Sequence, residues 1–195
     1  MKTKLFLISV FSCIYFMSSA QSNSEPNKSW NWGARVGYNS SNFEEYSKYI
    51  KWRSSFHAGL FAEKSISKSI SIEPGLQFSS QGSGRENSVD MRFHYLLMPL
   101  LGKFYLGKRV NVFFGPQLGY LISAHQGDGT FLREGLNSFE FSGLVGFGYD
   151  FQQFNLQLRY AHGFTKAAKY YYGTDDPVFQ NRVLQLSVGV PLGKL

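Results

Sequence analysis

The sequence predicts an all-β fold: an eight-stranded antiparallel transmembrane up-and-down β-barrel, with short periplasmic turns at one end and long extracellular loops at the other. Three observations carry this. Eight segments alternate large apolar residues with small or polar ones at period two, the signature of a strand. The connections between them alternate short and long, so every long loop leaves from the same end. After the amino-terminal stretch, no apolar run approaches the roughly 20 residues that a membrane-spanning helix needs.

The segments follow in order. Residues 30–38 set Trp30, Trp32, Ala34, Val36 and Tyr38 against Asn31, Gly33, Arg35 and Gly37. Residues 56–63 set Phe56, Ala58, Leu60 and Ala62 against His57, Gly59, Phe61 and Glu63. The third segment, 69–78, carries Ile70, Ile72, Pro74, Leu76 and Phe78 opposite Ser71, Glu73, Gly75 and Gln77. In the fourth, 91–102, Phe93, Tyr95, Leu97, Pro99 and Leu101 oppose Arg92, His94, Leu96, Met98 and Leu100, and the face bearing Arg92 is expected to point inward. The fifth, 112–122, alternates Val112, Phe114, Pro116, Leu118, Tyr120 and Ile122 with Phe113, Gly115, Gln117 and Gly119. The last three are 139–149, 154–161 and 183–192, with Phe141, Val145, Leu156, Tyr160, Leu186 and Val188 on one face and Glu140, Ser142, Gln157, Arg159, Gln185 and Ser187 on the other. Each is close to the roughly 9–11 residues that a tilted strand needs to cross a bilayer.

The short connections are 64–68, 106–109 and 150–153; the long, polar ones are 39–55, 79–90, 123–138 and 165–181. A soluble barrel of lipocalin or streptavidin type would turn its apolar face inward. Residue size favours the reverse, because the face rich in Gly and short polar groups fits a narrow interior while aliphatics and aromatics fill the other. Trp30, Trp32, Tyr105 and Tyr149 fall near the turn end, and Tyr38, Phe56, Phe78, Tyr120 and Phe139 near the loop end. Such groups match the aromatic girdles at the two membrane interfaces.

The amino end reads as a targeting segment. Lys2 and Lys4 precede an apolar stretch over residues 5–17, and Ser18-Ser19-Ala20 supplies small residues for cleavage, as in a secretory signal peptide. The expected layout is a cleaved signal at 1–20, a short periplasmic leader at 21–29 and the barrel at 30–195. Cys13, the single cysteine, would leave with the signal, so no disulfide or cysteine metal site is expected. With 17% charged and 43% hydrophobic residues the chain is too apolar for disorder. Its formal charge of +7 falls to +5 once Lys2 and Lys4 are removed; no basic run exists, so nucleic acid is not an expected partner.

The inward faces carry Arg35, Arg92 and Arg159 with Glu63, Glu73 and Glu140. They are expected to form an ion-pair ladder in a lumen just wide enough for side chains, a catalytic carboxylate pair being the alternative. Phe61, Leu96, Met98, Leu100, Phe113 and Leu144 are expected to add bulk there, closing the barrel to ions. Of the histidines, His57 and His94 read as lumen hydrogen-bonders; His125 with Asp128, and His162, could form a loose loop site. A lipid hydrolase would need His162 and Ser142 brought together. The glycine run at 143–148 lies within a strand with no following helix, so it is not a nucleotide loop. Tyr46, Tyr49 and Trp52, and Tyr170, Tyr171 and Tyr172, fall in the long connections and could contact a ligand or partner. No catalytic residue, cofactor or metal ligand is expected.

Several runs carry a family resemblance. Gly33-Ala34-Arg35-Val36-Gly37-Tyr38-Asn39-Ser40-Ser41, Tyr95-Leu96-Leu97-Met98-Pro99-Leu100-Leu101-Gly102-Lys103, Phe114-Gly115-Pro116-Gln117-Leu118-Gly119-Tyr120-Leu121, the stretch 143–149 and Arg159-Tyr160-Ala161-His162-Gly163-Phe164 resemble successive strands of the PorT-like family of Bacteroidota outer-membrane β-barrels. The resemblance implies an eight-stranded barrel in a Gram-negative outer membrane. The family's namesake takes part in a protein secretion system, a role these structural motifs do not diagnose. The expected activity is therefore non-enzymatic: a monomer in contact with outer-membrane lipid and lipopolysaccharide, structural or binding a protein partner or ligand through its extracellular loops. A secretion-system component, a lipid-modifying enzyme and a small channel are the alternatives.

Overall fold

Alternation at period two becomes eight paired strands. The computed structural model describes residues 29–44, 50–85, 90–126, 136–165 and 180–194. The strands are β1 (Asn31–Glu44), β2 (Ile50–Ser65), β3 (Ile70–Arg85), β4 (Met91–Tyr105), β5 (Val110–Gln126), β6 (Phe139–Asp150), β7 (Asn155–Gly163) and β8 (Gln180–Lys194). Each pairs antiparallel with its chain neighbour, and β8 returns to β1 from Asn31↔Lys194 to Glu44↔Gln180, closing the barrel. Closure leaves no strand edge to recruit another chain. At the turn end, Leu106 N–H donates to Val110 O at 2.9 Å and Phe151 N–H to Phe154 O at 2.8 Å. Gly107 takes a φ of 145° in the first of these turns, a region that residues with a Cβ rarely enter.

The wall is two-sided. Val36, Leu60, Leu100, Phe114, Val145 and Leu186 stand outward and exposed, whereas Leu97, Phe113, Arg159 and Gln185 are fully enclosed within. The lumen is itself a core. Phe93, Tyr95, Leu97, Leu121 and Ala124 form one apolar cluster, and Leu101, Phe113, Leu144, Ala161 and Val183 another.

Three expectations need correction. First, β4 is turned over: Leu96, Met98 and Leu100 face outward with Arg92 and His94, and Phe93, Tyr95, Leu97, Leu101 and Lys103 face inward. Large residues occupy both faces of this strand, so its own alternation does not choose between them. Its partners do, since residues opposite one another share a face. Leu97 lies opposite Gln77 and Gly119, and Leu101 opposite Glu73. Glycine makes the room, because a Cβ on Gly119 would lie 2.8 Å from the Leu97 side chain. Second, Tyr105 belongs to that inward face; its hydroxyl donates to Glu63 Oε1 at 2.5 Å, so it is no part of the outer girdle.

Third, several strands run on into stretches read as loop. β1 continues to Glu44, β2 begins at Ile50 and β3 continues to Arg85, placing Trp52 on a strand. These extensions carry polar residues on both faces, and apolar alternation is blind there. They are nonetheless ordered by side chains. The β2–β3 pairing shifts register between Trp52 and His57, and the carbonyls freed there are recovered. Ser55 Oγ donates to Ser80 O at 2.6 Å, Asn39 Nδ2 to Ser80 O at 2.9 Å, and Arg53 Nη1 to Gln81 O at 3.1 Å. Buried backbone acceptors need such partners.

Candidate functional site

Four strands converge on one carboxylate. Glu73 projects inward from β3 between Ser71 and Gly75, where small neighbours leave room for long side chains. Arg35 of β1 grips it with both terminal nitrogens, Nη1–Oε1 at 2.7 Å and Nη2–Oε2 at 3.3 Å, the bidentate geometry that makes such pairs strong. Arg159 of β7 reaches Oε1 at 3.2 Å, and Lys103 of β4 reaches Oε2 at 3.2 Å. Arg35, Glu73, Lys103 and Arg159 are each 5% exposed or less. Lys103 also meets Glu63 at 2.6 Å. Glutamines complete the shell: Arg159 donates from Nε and Nη2 to Gln157 Oε1 at 2.8 and 2.6 Å. The Arg35 guanidinium lies 4.3 Å from the Phe61 ring centre, an arrangement that favours cations. With Leu101 and Phe113 buried beside it, this network fills the lumen rather than lining a passage.

Of the six charges expected in the ladder, Arg35, Glu73 and Arg159 are brought together, and Glu63 joins them through Lys103. Sequence reasoning missed Lys103, because it continues the Leu97–Leu101 face, which the sequence alone assigns outward. Arg92 is not in the lumen, because it shares the outward face of β4. Glu140 is inward but separate, accepting from Asn181 Nδ2 at 3.2 Å and bonded to the Tyr95 and Ser142 hydroxyls. Nearer the loop end His57 bridges Asn39 Oδ1 at 2.6 Å and Ser187 Oγ at 2.9 Å. His94, by contrast, faces out and stacks on Phe78 with centroids 5.4 Å apart. Ser142 and His162 do not meet: the serine hydroxyl points inward to Gln117, while the imidazole lies outside between Tyr160 and Phe164. Tyr46, Tyr49, Asp128, Tyr170, Tyr171 and Tyr172 lie outside the described residues.

A second constellation sits at the loop end, on β2–β4. Lys51, Trp52, Arg53, Ser54, Gly84, Asp90 and Arg92 line an open cavity of about 430 Å³. Three cations face one carboxylate there, and Trp52 is 51% exposed. Toward the membrane, Phe56, Phe78 and His94 make a chain of ring contacts at 5.9 and 5.4 Å, and His94 meets the ring of His125, which pairs with Arg92, at 6.3 Å. Arg53 and Arg92 are far apart in sequence, and only the strand pairing assembles this rim.

An apolar belt outside, a packed charged lumen and a closed antiparallel wall define a membrane-spanning β-barrel of the outer-membrane type. The chain belongs to the outer membrane protein beta-barrel domain family, whose sequence model matches residues 19–169. Its location is therefore the outer membrane. Among solved structures it resembles Neisserial surface protein A, at 12% identity and a TM-score of 0.57, over 87% of this chain and 100% of that one. It also resembles Ail, the attachment invasion locus protein of Yersinia pestis, at 12% identity and a TM-score of 0.53, over 85% of this chain and 100% of that one. At such identities the likeness is one of fold. No curated protein sequence matches the chain.

Proposed function

We propose that this barrel is a non-enzymatic, monomeric surface protein that binds a phosphate-bearing ligand at its loop rim. The carrying observation is the cavity where Lys51, Arg53 and Arg92 outnumber Asp90 beside an exposed indole. Guanidinium forks match phosphate oxygens, and the indole offers an apolar face to a sugar or glycerol backbone. The ring chain of Phe56, Phe78 and His94 below the cavity supports an interfacial height, where lipid headgroup phosphates lie. The same chemistry would accept a soluble phosphate.

The test is a titration followed by Trp52 fluorescence, with nanodiscs containing lipopolysaccharide in one arm and inorganic phosphate in the other. The expected result is a response to the nanodiscs, with affinity falling about tenfold in the Arg53→Gln/Arg92→Gln variant, as for lost charge-assisted hydrogen bonds. A response to phosphate alone at equal affinity moves the ligand into solution. Silence in both arms overturns the reading.

The finer family position is part of the same proposal. The strand motifs at 33–41, 95–103 and 114–121 support a PorT-like, Bacteroidota origin, and residues 1–20, outside the described residues, support export through a cleaved signal peptide. Membership of a secretion system would follow from co-purification of its components with the native protein.

A further inference from the structure

Two imidazoles stand beside the cationic rim, and a β-bulge brings them together. Along β5 the even-numbered residues from Val112 to Ile122 face outward, and Leu121 faces inward. Unbroken alternation would turn His125 into the lumen. The β4–β5 pairing shifts register between His94 and Tyr95, giving β5 one extra residue there. Such a bulge re-aims the side chains beyond it. Ala124 is therefore enclosed, and His125 comes out opposite Arg92, its ring centre 6.3 Å from that of His94. His94 shares the outward face of Arg92 and stacks on Phe78 of β3. Both imidazoles lie on the loop side of Tyr120, which pairs with Leu96, and so beyond that girdle residue. The Nδ1 of His94 is buried with no hydrogen-bond partner among the described residues. Arg53 of β2, Arg92 of its own strand and His125 of β5 act on it electrostatically. Lys51 of β2 and Asp90 at the head of β4 are the other charged groups of the adjoining cavity.

Taking the rim to hold a phosphate as proposed above, we infer that His94 makes that binding proton-linked: the site takes up a proton with its anion and tightens as pH falls. Histidine is the side chain whose charge ordinarily changes just below neutrality. Without an anion, two guanidiniums oppose a further positive charge at His94, and no acceptor holds a proton on its Nδ1. The neutral ring is then the favoured form. A phosphate seated among Lys51, Arg53 and Arg92 offsets their field and so favours the charged form. The sign follows from linkage. A proton held more tightly in the complex strengthens binding in acid, and that gain is lost as pH rises through the value for the complex. The ligand's own titration runs the other way, since a phosphate monoester loses charge below about pH 6. A metal ion held between the two imidazoles is the poorer reading of the pair, because Arg53 and Arg92 would repel it.

The experiment follows Trp52 fluorescence of the full barrel, titrated with lipopolysaccharide nanodiscs in one arm and inorganic phosphate in the other. Wild type, His94→Gln and His94→Phe are compared at about pH 7.5 and about pH 5.5, the range in which histidine titrates. His94→Phe keeps a ring to stack on Phe78 without a titrating nitrogen, and either variant suffices if the other fails to assemble. The ligand's ionisation is common to all three proteins, so the ratio of wild-type to variant affinity isolates His94. In whichever arm responds, that ratio should rise about fivefold on going to the lower pH, within the roughly hundredfold that one proton allows over two units. An unchanged or falling ratio overturns the linkage and leaves the rim reading standing. Silence of the wild type in both arms at both pH values sinks the rim reading, and the linkage with it.

Discussion

Glu73→Gln should be the most damaging single substitution in the lumen. It keeps the volume and removes the one carboxylate that meets Arg35 at 2.7 Å, Lys103 at 3.2 Å and Arg159 at 3.2 Å. Lys103 retains Glu63, but the two guanidiniums, 5% and 0% exposed, lose their only carboxylate among the described residues. Breaking a buried pair by removing one partner costs about 3–5 kcal/mol, and here two arginines are stranded at once. Glu63→Gln is the matched control. Glu63 is 16% exposed and leaves Lys103 its contact with Glu73, so the cost is that of a charge-assisted hydrogen bond, about 1.5–3 kcal/mol. The assay is urea unfolding in lipid vesicles, followed by tryptophan fluorescence and by the shift between folded and boiled forms on gels. Glu73→Gln/Arg159→Gln should recover part of the loss, because removing the stranded charge couples the two sites. If Glu73→Gln proves as stable as wild type, or no worse than Glu63→Gln, the lumen is wet enough to solvate the arginines, and the packed-network account fails.

Two further outcomes test the wall. Gly115→Ala should lower the unfolding midpoint in the same assay, since its Cβ would press on the backbone of Leu100 and Leu101 and neither strand can give way cheaply; an unchanged midpoint refutes that closeness. Nitroxide labels placed singly along β4 should report high oxygen contact at positions 96, 98 and 100 and little at 95, 97 and 101, as their exposure requires. The opposite phase would restore the face that periodicity alone selects.

How far the sequence could be read depends on what each strand contrasts. In β1, β3 and β7 large residues oppose glycines and short polar groups, so residue size alone places Arg35, Glu73 and Arg159 inward. In β4 the contrast vanishes, with Tyr95, Leu97 and Leu101 set against Leu96, Met98 and Leu100. Only the cross-strand neighbours Gln77, Glu73 and Gly119 break the tie, and that is where Lys103 and Tyr105 were lost and Arg92 misplaced. The strand extensions at 39–44, 50–55 and 79–85 were illegible for a different reason. Beyond the apolar belt polar residues fall on both faces, and order comes from side chains such as Asn39, Ser41 and Ser55 bonding to backbone. The rim cavity borders the register shift between Trp52 and His57, which no periodicity announces.

The central claim is that the lumen is a packed core and the working surfaces lie on the outside. Single-channel recording of the purified barrel in a planar bilayer tests it most directly. With Leu97, Lys103, Phe113 and Arg159 fully buried across the lumen, and with about eight strands leaving only enough space for side chains, the wild-type protein should show no resolved conductance steps. Reproducible ion-selective steps whose selectivity changes in Glu73→Gln would put an open path through the network and contradict the claim.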